Sequence, residues 1–470
     1  MEVKEEGISS KEDKSVSAEE LVDDLNQRGE ARKFSIKEGT VSGFSSGVGD
    51  NYIGLFGIAL NANATQLGFL SAFPGFLSPL SQLIGSKLIE KQARKSIVAR
   101  YVLVQALMWV PLSLLGLLFW RTIFINSLPW LLVFLYSVLA IVGGFIGPAW
   151  FSWMGDIIPE NERGRYFGKR NRIAQGASIL GLLLGAIILD FFETKGLAVI
   201  GFAILFVSAF ISRTIAYSYL KKQYEPRLEL KADYYFSFWA FLKKYTNFTK
   251  FTIFIALFNL ALAIGSPFFA LYMKQDLGFS YMTIMVINMS MLVFIIIFNS
   301  LAGKFSDKYG NLRLLYIGCF LLALYPALWL FMKTPFLLIA VAQLIGGIGN
   351  AAYAISLTNF IYDTVTPQRR AICVAYLNVL AGIGVLIGPL IGGYLIDNVS
   401  ISFMKPILLV FVVSAIGRFA VPLFFMPSIK EIKQYQKFPF STLVSYPATT
   451  VLRLTRQFVQ TIYPKKSHAL

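Results

Sequence analysis

One carboxylate stands out in this sequence because of the apolar stretch that surrounds it. Asp50 is the only charged residue between positions 39 and 86. An ionised carboxylate in a hydrocarbon core costs roughly 3 kcal/mol unless it faces protein or water. Four glycines share its helical stripe: Gly43, Gly47, Gly54 and Gly57. Asp50, with the polar Asn51 beside it, could therefore bind a proton, a sodium ion or a cationic solute, or could simply accept hydrogen bonds from an adjacent helix.

Other kinds of reactive chemistry find little support in the composition. His468 is the only histidine and lies near the carboxyl end, so metal sites, catalytic triads and proton relays built on histidine are not expected inside the chain. Cys319 and Cys373 both fall in apolar segments, which suits small core residues better than a disulfide. We expect no cofactor and no enzyme activity. A membrane-embedded enzyme or receptor on the same scaffold remains the rival class.

The elements that must hold Asp50 are membrane helices. The chain has 470 residues, of which 56% are hydrophobic and 15% charged, and its mean hydropathy is +0.62. Segments 101–120, 131–149 and 251–273 carry no charge, and about 20 apolar residues are enough for one helix to cross a bilayer. The sequence thus predicts an all-α polytopic membrane protein.

Twelve spans are expected from the apolar segments. They cover residues 39–61, 66–89, 97–120, 130–154, 173–192, 197–219, 251–273, 283–303, 314–332, 337–361, 371–396 and 406–427. With both tails on one side, the opposite side holds only Arg121, Lys195, Lys274, Lys333 and Lys405. The positive-inside rule then predicts that both termini are cytoplasmic, in a plasma-membrane protein, and that the net charge of +17 reflects topology rather than a nucleic-acid site.

The chain divides into two similar parts. We expect a tail over 1–38, a six-helix half over 39–219, a polar loop over 220–250, a second half over 251–427 and a tail over 428–470. Six residues of the first half recur at an offset of 207: Asp156, Arg163, Asn171, Gly181, Gly185 and Asp190 become Asp363, Arg370, Asn378, Gly388, Gly392 and Asp397. Two pseudo-symmetric halves around a central site are typical of alternating-access carriers.

The loop between spans 8 and 9 contains Gly303, Asp307, Lys308, Gly310 and Arg313. This spacing resembles the loop signature of the major facilitator superfamily. The corresponding loop between spans 2 and 3 has Glu90, Lys91 and Arg94 but lacks both glycines in register. The resemblance implies secondary transport and a cytoplasmic gate, in which these residues and Asp156, Arg163, Asp363 and Arg370 latch the helix ends. The alternative is that the charges only anchor the loops at the membrane surface.

In that superfamily, spans 1, 4, 7 and 10 largely line the central cavity. The resemblance therefore adds Trp150, Trp153, Asn259 and Asn350 to Asp50 and Asn51 as candidate substrate or proton sites, although packing and interhelical hydrogen bonds would also explain them. The implied function is alternating-access transport of a small organic solute, with protons as a candidate coupling ion and a monomer in the bilayer as the expected form. A proton-driven multidrug or metabolite exporter is the alternative.

The second half also carries a glycine-rich span. Gly384, Gly388, Gly392 and Gly393 lie in span 11 together with Pro389. We interpret this pattern as close helix packing with a proline kink rather than as the signature of an exporter.

Overall fold

The computed structural model describes residues 18–89, 91–159, 162–226, 243 and 246–432. These residues form an all-α bundle whose only strand-like feature is an isolated bridge between Ile401 and Met404. Most of the predicted loop 220–250 and of the tail beyond 432 lies outside the described residues. So do Glu90 and the side chain of Arg370.

Seven α-helices are described in the first half. They are α1 (Ala18–Val48), α2 (Ile53–Ala59), α3 (Ala64–Leu88), α4 (Arg94–Trp120), α5 (Leu128–Ile157), α6 (Arg163–Glu193) and α7 (Ala198–Lys222). A 3₁₀ turn, Asp50–Tyr52, joins α1 to α2, so that together they form the first span. A reciprocal cap starts α3, because the Asn63 side chain accepts from the Gln66 N–H while the Gln66 side chain accepts from the Asn63 N–H.

The second half repeats this order. Its described α-helices of four or more residues are α8 (Asn247–Gly265), α9 (Phe268–Leu271), α10 (Tyr281–Tyr309), α11 (Asn311–Leu328), α12 (Leu344–Thr364), α13 (Pro367–Asn398) and α14 (Pro406–Phe425). A π-helical stretch, Tyr272–Asp276, extends α9, and a second one, Leu338–Gln343, leads into α12. Pro267 separates α8 from α9 because proline has no N–H to donate to the helix.

Eleven helices of the described residues are long and apolar enough to cross a membrane. The predicted first span is the twelfth segment, and it does not reach that standard because the turn at Asp50–Tyr52 divides it. The protein is therefore a multi-pass membrane protein of two six-segment halves.

The amino-terminal tail is shorter than predicted. The helix that enters the first span already begins at Ala18, whereas the prediction treated residues 1–38 as a tail. Residues 18–38 do not remain free in solvent, because Ala31, Ser35 and Glu38 are buried. Arg28 donates to the backbone carbonyl of Asp156, and these contacts hold α1 against the α5–α6 connection.

The exposure of large apolar side chains distinguishes the interior helices from the outer ones. Large apolar side chains are exposed along α4 and α7, for example Leu107, Leu114, Val207 and Ile211, as is expected where a helix faces lipid. Between residues 26 and 62, and throughout α8 and α9, no large apolar side chain is exposed. The first span of each half is therefore an interior helix.

Glycines allow the interior spans to approach their neighbours closely. A Cβ at Gly388 would lie 2.6 Å from the Leu260 carbonyl oxygen, and one at Gly392 would lie 2.2 Å from that of Ile264. In the first half, a Cβ at Gly43 would lie 2.1 Å from the Ala174 carbonyl oxygen. The predicted close packing of span 11 is confirmed, and α1 packs on α6 in the same manner.

The two halves meet at one side of the bundle. A Cβ at Gly393 would lie 2.7 Å from the Ala64 carbonyl oxygen, and one at Gly68 would lie 2.6 Å from that of Pro389. The contact between α3 and α13 continues to the middle of α3, where a Cβ at Gly75 would lie 2.4 Å from the Val385 side chain. At its other end α3 packs within its own half, where Gly85 contacts Phe145. We refer to the side with the α3–α4 and α5–α6 connections as the terminal side and to the other as the distal side.

Candidate functional site

The first span breaks at the acid that the sequence singles out. Helix α1 ends at Val48, Gly49 leaves helical geometry with φ −108° and ψ −85°, and α2 restarts at Ile53. Gly49 lies against an indole, since a Cβ there would be 2.6 Å from the Trp109 ring. The Asn51 amide donates to the Ser46 carbonyl at 2.9 Å and so satisfies a backbone group near the break.

The predicted glycine stripe is divided by this break. Gly43 and Gly47 face α6, and Gly57 faces Leu67 and Leu70 of α3, whereas a Cβ at Gly54 would have no other atom within 4 Å. Asp50 takes part in neither of these two helix contacts. It lies in a separate pocket between the helices of the first half.

That pocket has a volume of about 110 Å³, which is enough to hold water. Its walls come from α1, α4, α5 and α7 and consist of Ser42, Ser45, Ser46, Asp50, Gln105, Trp109, Leu139 and Arg213. The Ser46 hydroxyl and the Asp50 carboxylate line the same pocket. The site is therefore polar, although it lies between apolar helices.

An arginine shares the pocket with Asp50 but is held by neutral groups. Arg213 donates to the Gln105 Oε1 at 2.6 and 3.1 Å and to the Ser42 hydroxyl at 2.6 Å. No ion pair joins Arg213 to Asp50 in the described residues. The structure thus brings an acid and a base into one cavity without direct contact between their charges.

A chain of polar contacts links this pocket to the terminal side. Ser42 donates to the Glu38 carboxylate at 2.6 Å, and Glu38 pairs with Arg170 at 2.7 Å. The Arg170 guanidinium lies 4.3 Å from the centre of the Trp150 ring. Arg213, Ser42, Glu38 and Arg170 therefore form one hydrogen-bonded series along α1.

The predicted cavity residues are not gathered at Asp50. Trp150 packs beneath Arg170, whereas Trp153 is fully buried and donates to the Tyr224 carbonyl at 2.9 Å. In the second half, Asn259 donates to the Ile255 carbonyl at 2.9 Å and to the Tyr353 hydroxyl at 3.2 Å. Asn350 donates to the Gly346 carbonyl at 2.8 Å. Trp153 is a core residue in this conformation, and both asparagines are bonded within their own half.

Exposure points to a feature that the sequence predictions missed. Between residues 38 and 60 only Asn51 and Gly54 are exposed, and between residues 247 and 274 only Ser266 is exposed. Both sets lie where the first span of a half is interrupted, at Asp50–Tyr52 and before Pro267. Interrupted spans at equivalent positions of two halves mark the binding region of many carriers. In the sequence, the Ser266-Pro267 pair within span 7 could have indicated the second interruption.

On the terminal side, Arg94 is the centre of the first half's network. Its side chain is fully buried, forms an ion pair with Asp156, and donates to the Ser152 and Pro226 carbonyls at 3.1 and 3.0 Å. Its backbone N–H donates to the Glu225 carboxylate at 2.8 Å. The acid that meets Arg94 from the end of α7 is thus Glu225, which the sequence predictions did not include.

The remaining predicted gate residues of the first half have simpler roles. Arg163 donates to the Gly155 and Ile158 carbonyls at 2.8 and 3.3 Å and so covers the end of α5. Lys91 is exposed in the short turn before α4. These contacts all lie within one half.

The second half has an equivalent network with different residues. Asn311 donates to the Asp363 carboxylate at 2.7 Å, as Arg94 does to Asp156. The Leu312 N–H donates to Glu431 at 2.7 Å, as the Arg94 N–H does to Glu225. Burial raises the pKa of Glu431 above its ordinary value, and the hydrogen bond from Leu312 opposes that rise.

The loop with the superfamily-like spacing forms a tight reversal between α10 and α11. Gly310 has φ +103°, which residues with a side chain rarely adopt. Arg313 donates to the Tyr309 carbonyl at 3.2 Å, and the Lys308 ammonium lies 5.0 Å from the centre of the Tyr309 ring. Asp307 is exposed, and Gly303 has open space around it.

The polar contacts that join the halves, among described residues, lie on the distal side. Asp397 at the end of α13 accepts from the Thr65 and Ala64 N–H groups at 2.7 and 3.3 Å. Asp190 at the end of α6 accepts from the Met282 N–H at 3.2 Å, and Lys274 pairs with Glu193 at 2.6 Å. The sequence repeat contained both aspartates without indicating this role.

Two six-segment halves that meet on one side, each with an interrupted first span, define the class of secondary transporters that work by alternating access. The chain belongs to the Major Facilitator Superfamily, whose family model matches residues 40–332 and 251–459.

No group of three or more metal-ligating side chains occurs in the described part of the chain.

Solved structures with this fold include several transporters of different solutes. The nucleoside transporter NupG has a TM-score of 0.62 and 14% identity over 86% of this chain and 99% of its own. The D-xylose-proton symporter has a TM-score of 0.62 and 16% identity over 87% and 99%. A bacterial homologue of the lysosomal transporter Spinster, in an inward-facing conformation, has a TM-score of 0.60 and 16% identity over 86% and 95%. At these identities the similarity establishes the fold.

A curated sequence is similar over a shorter stretch. Multidrug resistance protein 1 of Bacillus subtilis (strain 168) is 29% identical over 102 residues. That stretch is 22% of this chain and 26% of the Bacillus protein, so the chain matches about a quarter of its relative.

Proposed function

We propose that this protein transports a small organic solute through a cavity between the two halves and couples the movement to protons at Asp50. The observation that carries the proposal is the interruption of the first span at this acid, which opens onto a pocket shared with Arg213. Asn51 and Ser266, exposed at the two interrupted spans, are the proposed solute contacts.

The charges of the pocket suggest how a proton could change the structure. With Asp50 protonated, Arg213 keeps its hydrogen bonds to Gln105 and Ser42. With Asp50 ionised, attraction of about 4 kcal/mol at 4 Å and an effective dielectric constant near 20 competes with those bonds. Arg213 would then move towards Asp50 and weaken the link between α7 and α4. Loading and release of the proton thus act on helix packing inside the first half.

The energy available from one proton is adequate. One charge that crosses a potential of 100 mV gains roughly 2.3 kcal/mol, which corresponds to about a fiftyfold solute gradient. The series Ser42, Glu38 and Arg170 offers hydrogen-bonding groups between the pocket and the terminal side. Protons would exchange with that compartment in the present conformation.

The orientation follows from the distribution of lysine and arginine. The terminal side carries most of these residues, so we assign it to the cytoplasm. The halves are joined by polar contacts on the distal side, which supports a conformation open to the cytoplasm. Asp190 and Asp397 would form the outer latch, and the networks around Arg94 and Asn311 would brace the helix ends on the inner side.

Transport by protein in liposomes tests the coupling. Asp50→Asn should abolish solute accumulation driven by a proton gradient but spare exchange of labelled solute at equal concentrations. Asp50→Glu, which keeps a titratable group, is the matched control and should retain part of the accumulation. Accumulation by Asp50→Asn equal to that of the parent protein would refute the role of Asp50.

Proton-driven export is the second candidate, favoured by the similarity to the Bacillus multidrug resistance protein. The two directions can be separated in vesicles of defined orientation. An exporter would lower the internal concentration of a lipophilic cation in right-side-out vesicles, whereas an importer would raise that of its solute under the same inward proton gradient.

A further inference from the structure

A second cavity lies on the outer flank of the first half, away from the pocket of Asp50. It has a volume of about 500 Å³ and lies between α4 and α7 at their terminal-side ends. Three basic residues line it, Lys95, Arg100 and Lys221, together with the apolar Ala99 and Leu103. None of the residues that line the pocket of Asp50 also lines this cavity.

The three basic groups have no acidic partner among the described residues. The Lys221 ammonium lies 4.9 Å from the centre of the Tyr217 ring, and Tyr217 also lines the cavity. One carboxylate, that of Glu225, also lines it, but it already accepts from the Arg94 N–H at 2.8 Å and faces the Arg94 guanidinium at 3.4 Å. Among the described residues, the basic groups of the cavity therefore have no acid that neutralises them.

The position of the charges matches the boundary of a bilayer. Lys95 and Arg100 lie in the first two turns of α4, and at a rise of about 1.5 Å per residue they are separated by about 7.5 Å along its axis. Beyond Leu103 the same flank exposes Leu107 and Leu114, and α7 exposes Ile211 and Val207 at the same depth. Basic groups are thus followed by two apolar helix faces that run towards the middle of the membrane.

We propose that this cavity binds the headgroup of an anionic phospholipid from the leaflet on the terminal side. Lys95, Arg100 and Lys221 contact the phosphate, and the acyl chains lie on the exposed faces of α4 and α7. Basic pockets between membrane helices bind anionic headgroups in this way. The leaflet is cytoplasmic if the proposed orientation holds, but the site itself does not depend on the transported solute or on Asp50.

A bound lipid would also act on the network of Arg94. Glu225 contributes to both the cavity wall and the cap of α4, so a headgroup beside it braces the ends of α4 and α7 against each other. The expected consequence is higher thermal stability of the full-length protein in anionic lipid than in zwitterionic lipid.

The test compares binding of phosphatidylglycerol and phosphatidylcholine by the purified full-length protein. Native mass spectrometry measures retained lipid, and thermal unfolding measures its effect on stability. A variant with Lys95→Gln, Arg100→Gln and Lys221→Gln should bind phosphatidylglycerol roughly 100-fold more weakly, because each basic group contributes about 1 kcal/mol. A variant with Lys95→Arg and Lys221→Arg keeps the charge and should bind like the parent protein.

The control removes the same charge elsewhere on the terminal side. Lys169→Gln, Arg172→Gln and Lys222→Gln alter three exposed residues outside the cavity and should leave phosphatidylglycerol binding unchanged. Equal loss in the control and the cavity variant would show diffuse attraction to the membrane and overturn the site. Equal stabilisation by inorganic phosphate alone would overturn its assignment to a lipid.

Discussion

Asp190 and Asp397 hold equivalent positions in the two halves; Asp190 accepts one backbone N–H from the opposite half, and Asp397 accepts two. Asp190 ends α6 and bonds to the first turn of α10, whereas Asp397 ends α13 and bonds to the first turn of α3. A carboxylate at a helix amino terminus is favourable through both hydrogen bonding and the helix dipole. Any motion that separates the halves on the distal side must break both caps.

Loss of both caps should open the distal side. Each cap is worth about 1 kcal/mol relative to alanine, so Asp190→Ala with Asp397→Ala should shift the equilibrium by roughly 30-fold. Labelling of Thr65→Cys by a membrane-impermeant thiol reagent would report that opening as a faster rate. The matched control is Asp276→Ala, which removes an ion pair with Lys405 of the same half and should leave the labelling rate unchanged.

Interference with the close packing of α8 and α13 should destabilise the second half. The Cβ of Gly392→Ala would meet the Ile264 carbonyl oxygen at 2.2 Å, so the two helices must move apart, at a cost of about 1–3 kcal/mol. Thermal unfolding in detergent should show a lower midpoint. Gly176→Ala has open space and should be neutral or stabilising by up to about 1 kcal/mol; equal effects of the two changes would contradict the packing argument.

Replacement of Arg94 should weaken the terminal side of the first half. Arg94→Gln leaves the Asp156 and Glu225 carboxylates and two carbonyls without their charged donor. Because both carboxylates are partly exposed, we expect a cost of about 1–3 kcal/mol. Arg94→Lys should recover only part of this, because an ammonium cannot reproduce the forked geometry. Thermal unfolding measures both. Lys91→Gln, in the exposed turn nearby, should have little effect.

Asp50 and Arg213 should behave as a coupled pair. Arg213→Gln leaves Asp50 without the one basic side chain that shares its pocket, whereas Glu38 keeps its ion pair with Arg170. The change should therefore destabilise the protein, and adding Asp50→Asn should restore part of the loss. A double-mutant cycle on thermal unfolding gives the coupling energy. The same cycle with Arg418→Gln, an arginine bonded to the Leu322 and Leu262 carbonyls of the other half, should be additive. Additivity in both cycles would mean that the pocket charges do not interact.

The residues exposed at the interrupted spans should affect transport rather than folding. Ser266→Leu and Asn51→Leu should lower the rate of solute exchange several-fold while the unfolding midpoint stays near that of the parent protein. Ser218→Leu is the control, because Ser218 is exposed on α7 and donates to a carbonyl of its own helix, as Ser266 does. If exchange by Ser266→Leu and Asn51→Leu matched the parent rate, these residues would lie outside the solute path.

Composition and periodicity determined most of the architecture. Lipid requires long apolar helices whose backbone groups bond internally, so apolar segments alone predicted the spans. The recurrence of six residues at one offset predicted the two halves. Charge scarcity inside the membrane identified Asp50, because an intramembrane acid is costly wherever it faces lipid. The extent of the amino-terminal tail was misjudged, since charged residues such as Arg32 and Glu38 form ion pairs within the fold.

Tertiary structure decided which residues meet. The partners of Asp50 and Arg94 come from distant segments, and a helix in lipid has no polar face whose periodicity reveals its rotation. Arg213 shares the pocket of Asp50, and Glu225 bonds to Arg94, only because α7 packs against α1 and α4. Asp190 and Asp397 were visible as a repeat in the sequence. That each caps a helix of the opposite half, however, depends on how the halves dock. Local sequence specifies helices and their depth in the membrane, whereas side-chain pairing across helices depends on packing that no single segment encodes.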